Sequence, residues 1–440
     1  MLGIIGLILA IACMIFFAYK GLGALPLTLM CALIVALFNG MNVWEAFSKF
    51  YMGGYTGVYM SYFLIFIFSA FYAKLMDESG SATAIGYKLI DWFGKKNVML
   101  VSILMVSALT YGGISLFVVI FAVAPILFML FKEAHLPRHL TITPVVIGAA
   151  TYTMTALPGT PQLTNVIPTQ FLGTSMTAAP ILGILCAIGL FVLCYAYARY
   201  AENKARKKGE DFTFPVGVDP SRYEVKDRAT LPAAWKAFLP MLVLIAIIIV
   251  GGIWIKDASM LTVIAMIVAA ILTYVLNLDK LKHISVKQLL NKGLGDGVTA
   301  IGGLAGVVAF GAVVSNSVAF QDVVKWVLGV NMNPYWKGVF AVAIIAGITG
   351  SSSGGLRIMY TNMAEYFKAL PDINLSILHR LTSVSAGSLD SLPHSSGIFL
   401  MLNYLGLSHK EAYKHMFWTT VVIPAVVVVV ATLIITVFGI

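Results

Sequence analysis

Ser388-Leu389-Asp390-Ser391-Leu392-Pro393-His394-Ser395-Ser396-Gly397 is a run of small polar residues around a proline, set in an otherwise apolar stretch. The first half of the chain carries a companion, Thr155-Ala156-Leu157-Pro158-Gly159-Thr160-Pro161-Gln162, in which the Leu-Pro pair recurs. Both read as membrane helices broken in the middle. Irregular backbone survives at membrane depth only where it is buried in protein or lines a polar cavity. Paired interruptions in corresponding places of two halves therefore point to the binding site of a secondary transporter.

The rest of the chain agrees. Hydrophobic residues make up 60% of it and charged residues 11%, with a mean hydropathy of +0.91; a soluble domain carries about 25% charged residues. An all-α polytopic membrane protein is expected. At roughly 20 residues per crossing, the clear spans run from about Leu2 to Ala18, Leu25 to Phe38, Tyr59 to Met76, Met176 to Ala198, Trp235 to Trp254, Met260 to Leu276, Val298 to Val314 and Tyr413 to Phe438. The net charge of +10 does not imply a nucleic-acid partner, because the basic residues fall in loops between spans, where orientation in the bilayer places them. Cys13, Cys31, Cys186 and Cys194 all lie in apolar runs without metal-ligand spacing, which makes them packing residues. No metal or other cofactor is expected. The first apolar run lacks a preceding basic residue and a small-residue cleavage site, so a membrane helix is expected there rather than a removed signal peptide.

The polar stretch 199–236, with its cluster Arg206-Lys207-Lys208, reads as a cytoplasmic linker between a first repeat, 1–198, and a second, 237–440. If each half has three spans, a re-entrant hairpin, a broken helix and a final span, twenty-two of the 29 lysines and arginines face inward, as the positive-inside rule requires. Five crossings per half is an odd number. The two repeats are then inverted, with about 10 crossings in all and both termini outside. The hairpins are expected in Val98 to Phe131, split at Thr110-Tyr111-Gly112-Gly113, and in Gly338 to Phe367, split between Thr349 and Gly355. Two full helices with a short turn fit each segment almost as well by length.

Four polar breaks supply candidate substrate contacts: Tyr111, Gly112, Gly113 and Ser115; Thr155, Gly159, Thr160, Gln162, Thr164 and Asn165; Ser352, Ser353, Gly354, Gly355 and Arg357; and Ser395 with Ser396. Helix starts after a break present unpaired N–H groups and partial positive charge, which suits a carboxylate. The hydroxyls and amides suit the hydroxyl groups of a substrate, or the helices' own carbonyls. An arginine near the bilayer centre usually faces a cavity and pairs with an anion, and its fork matches a carboxylate. Arg357 either does this, or pairs with Glu365 or Asp390, or reaches the outer surface. Asp390 and His394 are the acid and imidazole of the second break, where the first has Thr155 and Gly159. They are the candidates for proton coupling, with a pair that merely pins the helix as the alternative.

Ser388 to His394, followed by Gly397 and by Leu407-Ser408-His409-Lys410, resembles the Leu-Asp-Ser-Leu-Pro-His segment and the following cytoplasmic turn of the GntP family. These are the gluconate permeases and related hydroxy-acid carriers, grouped with inverted-repeat elevator carriers of the ion-transporter superfamily. Thr155 to Asn165 resembles the first-half counterpart, and the two-half layout extends the similarity over most of the chain. The resemblance implies proton symport of a small hydroxycarboxylate such as gluconate or 3-hydroxybutyrate across the bacterial cytoplasmic (inner) membrane, without nucleotide. The chain departs from many members in having Ser395-Ser396-Gly397 where they have Asn-Gly. Sodium coupling and a homodimer are left open.

Other classes fit less well. Gly350-Ser351-Ser352-Ser353-Gly354 matches G-x-S-x-G, but that motif needs a strand-to-helix elbow on a soluble sheet, so an intramembrane hydrolase is disfavoured. His409, Glu411 and His415 lack metalloprotease spacing, and no phosphate-binding G-x-x-x-x-G-K-[ST] loop is present for a pump. An anion channel with the breaks as its filter is the remaining rival.

Overall fold

A computed structural model describes residues 2–111, 114, 116–215, 228–251, 254–255 and 258–438. Gly112, Gly113 and Ser115 of the first expected hairpin tip lie outside the described residues. Among those described, every regular element is a helix, the form in which a spanning segment satisfies its own backbone.

Helices α1 (Leu2–Tyr19) and α2 (Ala24–Phe38) lead into the long α3 (Val43–Glu78). Then come α4 (Ser81–Phe93), α5 (Val98–Tyr111), α6 (Leu116–Glu133), α7 (Ile142–Ala150), α8 (Leu163–Leu172) and α9 (Pro180–Lys207). After the linker follow α10 (Ala234–Gly251), α11 (Ala258–Leu276), α12 (Val286–Ser315), α13 (Val318–Gly329), α14 (Pro334–Thr349) and α15 (Ser352–Lys368). The chain ends with α16 (Leu375–Leu389), α17 (Ser396–Tyr404) and α18 (His409–Phe438). Among the described residues six helices are long and apolar enough to cross a bilayer by length and composition: α1, α3, α9, α12, α18 and residues Ser259–Leu276 of α11. Ala24–Phe38, Ala234–Ile248 and Pro334–Thr349 are shorter apolar helices.

Local chemistry sets several boundaries. The Asn374 side chain accepts from the amides of Ser376 and Ile377 to start α16, and Ser408 with Glu411 forms a capping box at α18; such caps satisfy amides that have no partner within the helix. Helix α9 runs nine residues past Ala198, into the expected linker. Glu202, almost fully buried, holds Arg199 at 2.6 Å and Arg206 at 3.0 Å one turn to either side, so the polar sequence there stays helical. In the second hairpin the break is shorter than expected. Gly350 turns the chain at φ +63°, Ser351 caps α15 through the Gly354 amide, and Gly354 and Gly355 are already helical. Gly355 lies against the backbone of Ala346 on α14.

The centre of the protein is the close crossing of α3 and α12. Helices in a bilayer gain most from direct backbone approach at small residues, and Gly297 provides it: a Cβ there would stand 2.6 Å from Ile67 Cα and 2.8 Å from the Phe66 carbonyl oxygen. Further along α3, Tyr51, Tyr55, Tyr59 and Phe63 stack in a ladder with ring separations of 6.4, 5.4 and 6.0 Å. Gly297→Val is expected to force these backbones apart at a cost of about 1–3 kcal/mol, read as a lower unfolding midpoint in detergent. An unchanged midpoint would mean that the crossing is not tightly packed. Helix α2 packs on α12 and α11 on α3. On the flanks, α5 packs on α7, α14 on α16, α8 on α15 and α16, and α17 on α6.

Candidate functional site

Each broken helix is interrupted for several residues. The first passes from α7 through a short turn, Tyr152–Thr155, to the break at 156–162 and into α8; the second passes from α16 through 390–395 into α17. Both breaks, with the tip of the second hairpin, open on one cavity of about 350 Å³. The first residues of four helices line it: Leu116 of α6, Leu163 of α8, Ser352 of α15 and Ser396 of α17. The residues before three of these starts, Gln162, Ser351 and Ser395, line it too. Three of these ends, those of α8, α15 and α17, thus direct partial positive charge at the same space.

Hydroxyls supply most of the remaining polar wall. Thr164, Ser352, Ser353, Ser391, Ser395 and Ser396 come from the breaks and the hairpin, and Ser61, Tyr62, Ser259 and Thr262 from α3 and α11. Asp390 is the only carboxylate among the described lining residues, and none of these is basic. Its Oδ1 accepts a 2.8 Å hydrogen bond from Ser391 Oγ, and Ser352 at the start of α15 lies beside the carboxylate. Tyr413 donates to the Ser391 carbonyl at 3.0 Å, which buttresses the same turn.

The other expected site residues divide by what they touch. Gln162 reaches across to the first hairpin, donating to the carbonyls of Thr110 at 2.8 Å and Ile114 at 3.2 Å. Thr164 donates to the Met154 carbonyl, and Ser395 to the Gly350 carbonyl at 3.1 Å. Thr155 bonds its own helix at Thr151, and the Gly159 amide bonds the Met176 carbonyl. Tyr111, exposed, donates to the Pro158 carbonyl at 3.1 Å. Thr160 is buried with its hydroxyl unpartnered, and neither it nor Asn165, Gly354 or Gly355 lines the cavity. His394 does not line it either: the ring is buried beside Gly350 and faces the backbone of Gly347 and Ile348.

Arg357 is exposed on α15, outside the cavity. Neither acid proposed as its partner is paired with it, since Glu365 binds Lys368 at 3.0 Å and Asp390 is held by serines. Among the described residues the buried arginine is Arg380, 0% exposed. Its guanidinium donates to the carbonyls of Ala178 at 3.0 Å, Thr155 at 3.3 Å and Met176 at 3.4 Å, all around the first break. Beside it, His379 Nε2 donates to Asn165 Oδ1 at 3.0 Å, and Nδ1 lies 2.7 Å from the Thr174 hydroxyl. Helix α16 of the second half thereby anchors the broken helix of the first.

The comparisons with known proteins agree with this architecture. The family model for the GntP family permeases matches residues 2–438. The chain is 30% identical to the uncharacterised transporter YxjC of Bacillus subtilis (strain 168) over 96% of each protein. It is 24% identical to the gluconate permease of Bacillus licheniformis over 81% of this chain and 82% of that one. A multi-pass helical chain with a polar cavity at its broken helices, matched over nearly its whole length, belongs to the GntP family of permeases, transporters of the bacterial cytoplasmic membrane rather than enzymes.

Proposed function

We propose that this permease carries a small hydroxycarboxylate of the gluconate or 3-hydroxybutyrate class together with a proton, and that its two halves are inverted repeats. The convergence of the N-termini of α8, α15 and α17 on one cavity with no basic side chain among its described lining residues carries the substrate reading. Such ends stabilise a carboxylate without a permanent cation to trap it. The surrounding serines and threonines match a substrate whose carbons bear hydroxyls, because each substrate hydroxyl both donates and accepts. One of the relatives that the chain matches is named a gluconate permease, which is consistent with a polyhydroxylated acid.

Helix order and packing support the repeat. Helices α1 to α9 correspond in order to α10 to α18, and the second helix of each half packs on the long helix of the other. The bent pair Ser81–Phe93 and Lys95–Tyr111, at 104°, leads into the first hairpin. On this reading α5–α6 and α14–α15 are re-entrant, about ten segments cross the membrane, and the 199–236 segment is cytoplasmic. Proton coupling falls to Asp390 on the cavity wall, with His394 packed behind the hairpin tip.

The test is the thermal stability of purified protein with gluconate, 3-hydroxybutyrate, or the unhydroxylated hexanoate and butyrate. Stabilisation by the hydroxylated acid over its unhydroxylated match, greater at lower pH, is expected. An equal response to both members of a pair, or no response to any carboxylate, overturns the substrate assignment.

A further inference from the structure

Where α9 ends and α18 begins, a second cavity of about 370 Å³ lies apart from the first. Lys204 and Lys208 enter it from α9 and the chain beyond, and Lys414 and Trp418 from the first turns of α18. His139 and His415 stand face to face at its wall, ring centroids 5.1 Å apart. His139 Nε2 is bound to Glu210 at 2.8 Å, and Lys208 stands 3.5 Å from the other oxygen of the same carboxylate. The hydrogen bond to His139 holds the Glu210 carboxyl below its ordinary value, so it stays charged and is committed to these partners. Lys204 lies over the Tyr200 ring at 5.8 Å, and both Lys204 and Lys414 bear on the buried His415. Among the described residues neither lysine pairs with an acid.

Two unmatched ammonium groups thus face one recess, rimmed by the exposed rings of Tyr200 and Trp418. The recess lies at the ends of two apolar spans, which sets it at the membrane–water boundary, where aromatic residues gather and basic pockets between helices take anionic head groups. We propose that this cavity binds a phosphate group, that of an anionic membrane lipid, clasped between Lys204 and Lys414 and so bridging the last helix of each half. The inference is independent of the substrate reading, since no residue is shared with the transport cavity.

The unfolding midpoint of the full chain would be measured in phosphatidylcholine vesicles, in the same vesicles containing phosphatidylglycerol, and in phosphatidylcholine with added inorganic phosphate. Phosphatidylglycerol should raise the midpoint, less so at high salt. In Lys204→Gln/Lys414→Gln its apparent affinity should fall about 25-fold, roughly fivefold for each lysine near an anionic surface. The Lys204→Arg/Lys414→Arg pair should keep the response. If the double glutamine variant does not fold, Lys414→Gln alone should lose about fivefold. Stabilisation by inorganic phosphate that the same substitutions remove would support the site with a free phosphate as its ligand. A wild-type protein indifferent to both, or glutamine variants that respond as the wild type does, would overturn the proposal.

Discussion

Asp390→Asn should abolish pH-gradient-driven accumulation in proteoliposomes while substrate exchange between equal concentrations continues. Asp390 is the one carboxylate among the described residues of the transport cavity, and it lies beside Ser352 at the start of α15. A bound substrate carboxylate is repelled by a second negative charge. On the proposed proton-coupled reading, protonation removes the repulsion, so proton and substrate favour each other's binding reciprocally. With one proton per substrate, each pH unit supports about tenfold accumulation. The asparagine, permanently neutral, should bind substrate without taking up a proton, and its accumulation ratio should fall to about one. His394→Gln should keep pH-driven uptake, because the ring is walled off behind Gly350. Normal pH-driven uptake in Asp390→Asn, or wild-type uptake that follows a sodium gradient and ignores pH, would refute the mechanism.

Arg380→Ala should cost the protein its fold rather than its affinity. The substitution leaves the carbonyls of Thr155 and Ala178 without the guanidinium donor, while Met176 keeps the Gly159 amide and the Asn165 side chain, and each buried unsatisfied group costs about 1–3 kcal/mol. Against a total stability of about 5–15 kcal/mol, the expected result is a large drop in folded yield and in unfolding midpoint. Arg380→Lys should recover little, since one ammonium cannot reproduce the spread of a planar guanidinium. Arg357→Lys, on an exposed side chain, should leave both midpoint and apparent affinity close to wild type. A stable Arg380→Ala protein that folds but no longer binds substrate would instead move Arg380 into the binding machinery.

The contrast between these arginines shows what the sequence made legible. A proline among hydroxyls in an apolar run is a strong signal of a helix break, and Asp390, Ser395, Ser396, Gln162 and Thr164, which lie at or just after the two breaks, line the cavity. Ser61, Tyr62, Ser259 and Thr262 sit in unbroken helices, where isolated hydroxyls ordinarily bond their own backbone, so nothing in their spacing marks the cavity. Arg357 is close in sequence to the hairpin break. At about 100° per residue, however, five positions past Ser352 turn it about 140° away from the tip. Arg380 lies ten residues before Asp390 in an ordinary helical stretch, and its partners are backbone atoms from the other half, which no local pattern encodes. Thr155, Gly159 and Asn165 are at the break as expected, but they hold its shape.

On the proposed reading of one proton carried by Asp390 per substrate, a cavity whose described wall has no basic group and a single acid also sets how voltage would act on the carrier. Empty, with Asp390 ionised, the site carries one negative charge; loaded, with Asp390 protonated and a monoanionic acid bound, it again carries one. Outward and return movements then displace equal charge, and the cycle as a whole is electroneutral. In such a cycle the membrane potential, worth about 2.3 kcal/mol per charge per 100 mV elsewhere, would do no net work, and the proton's chemical gradient alone would set how far the substrate is concentrated.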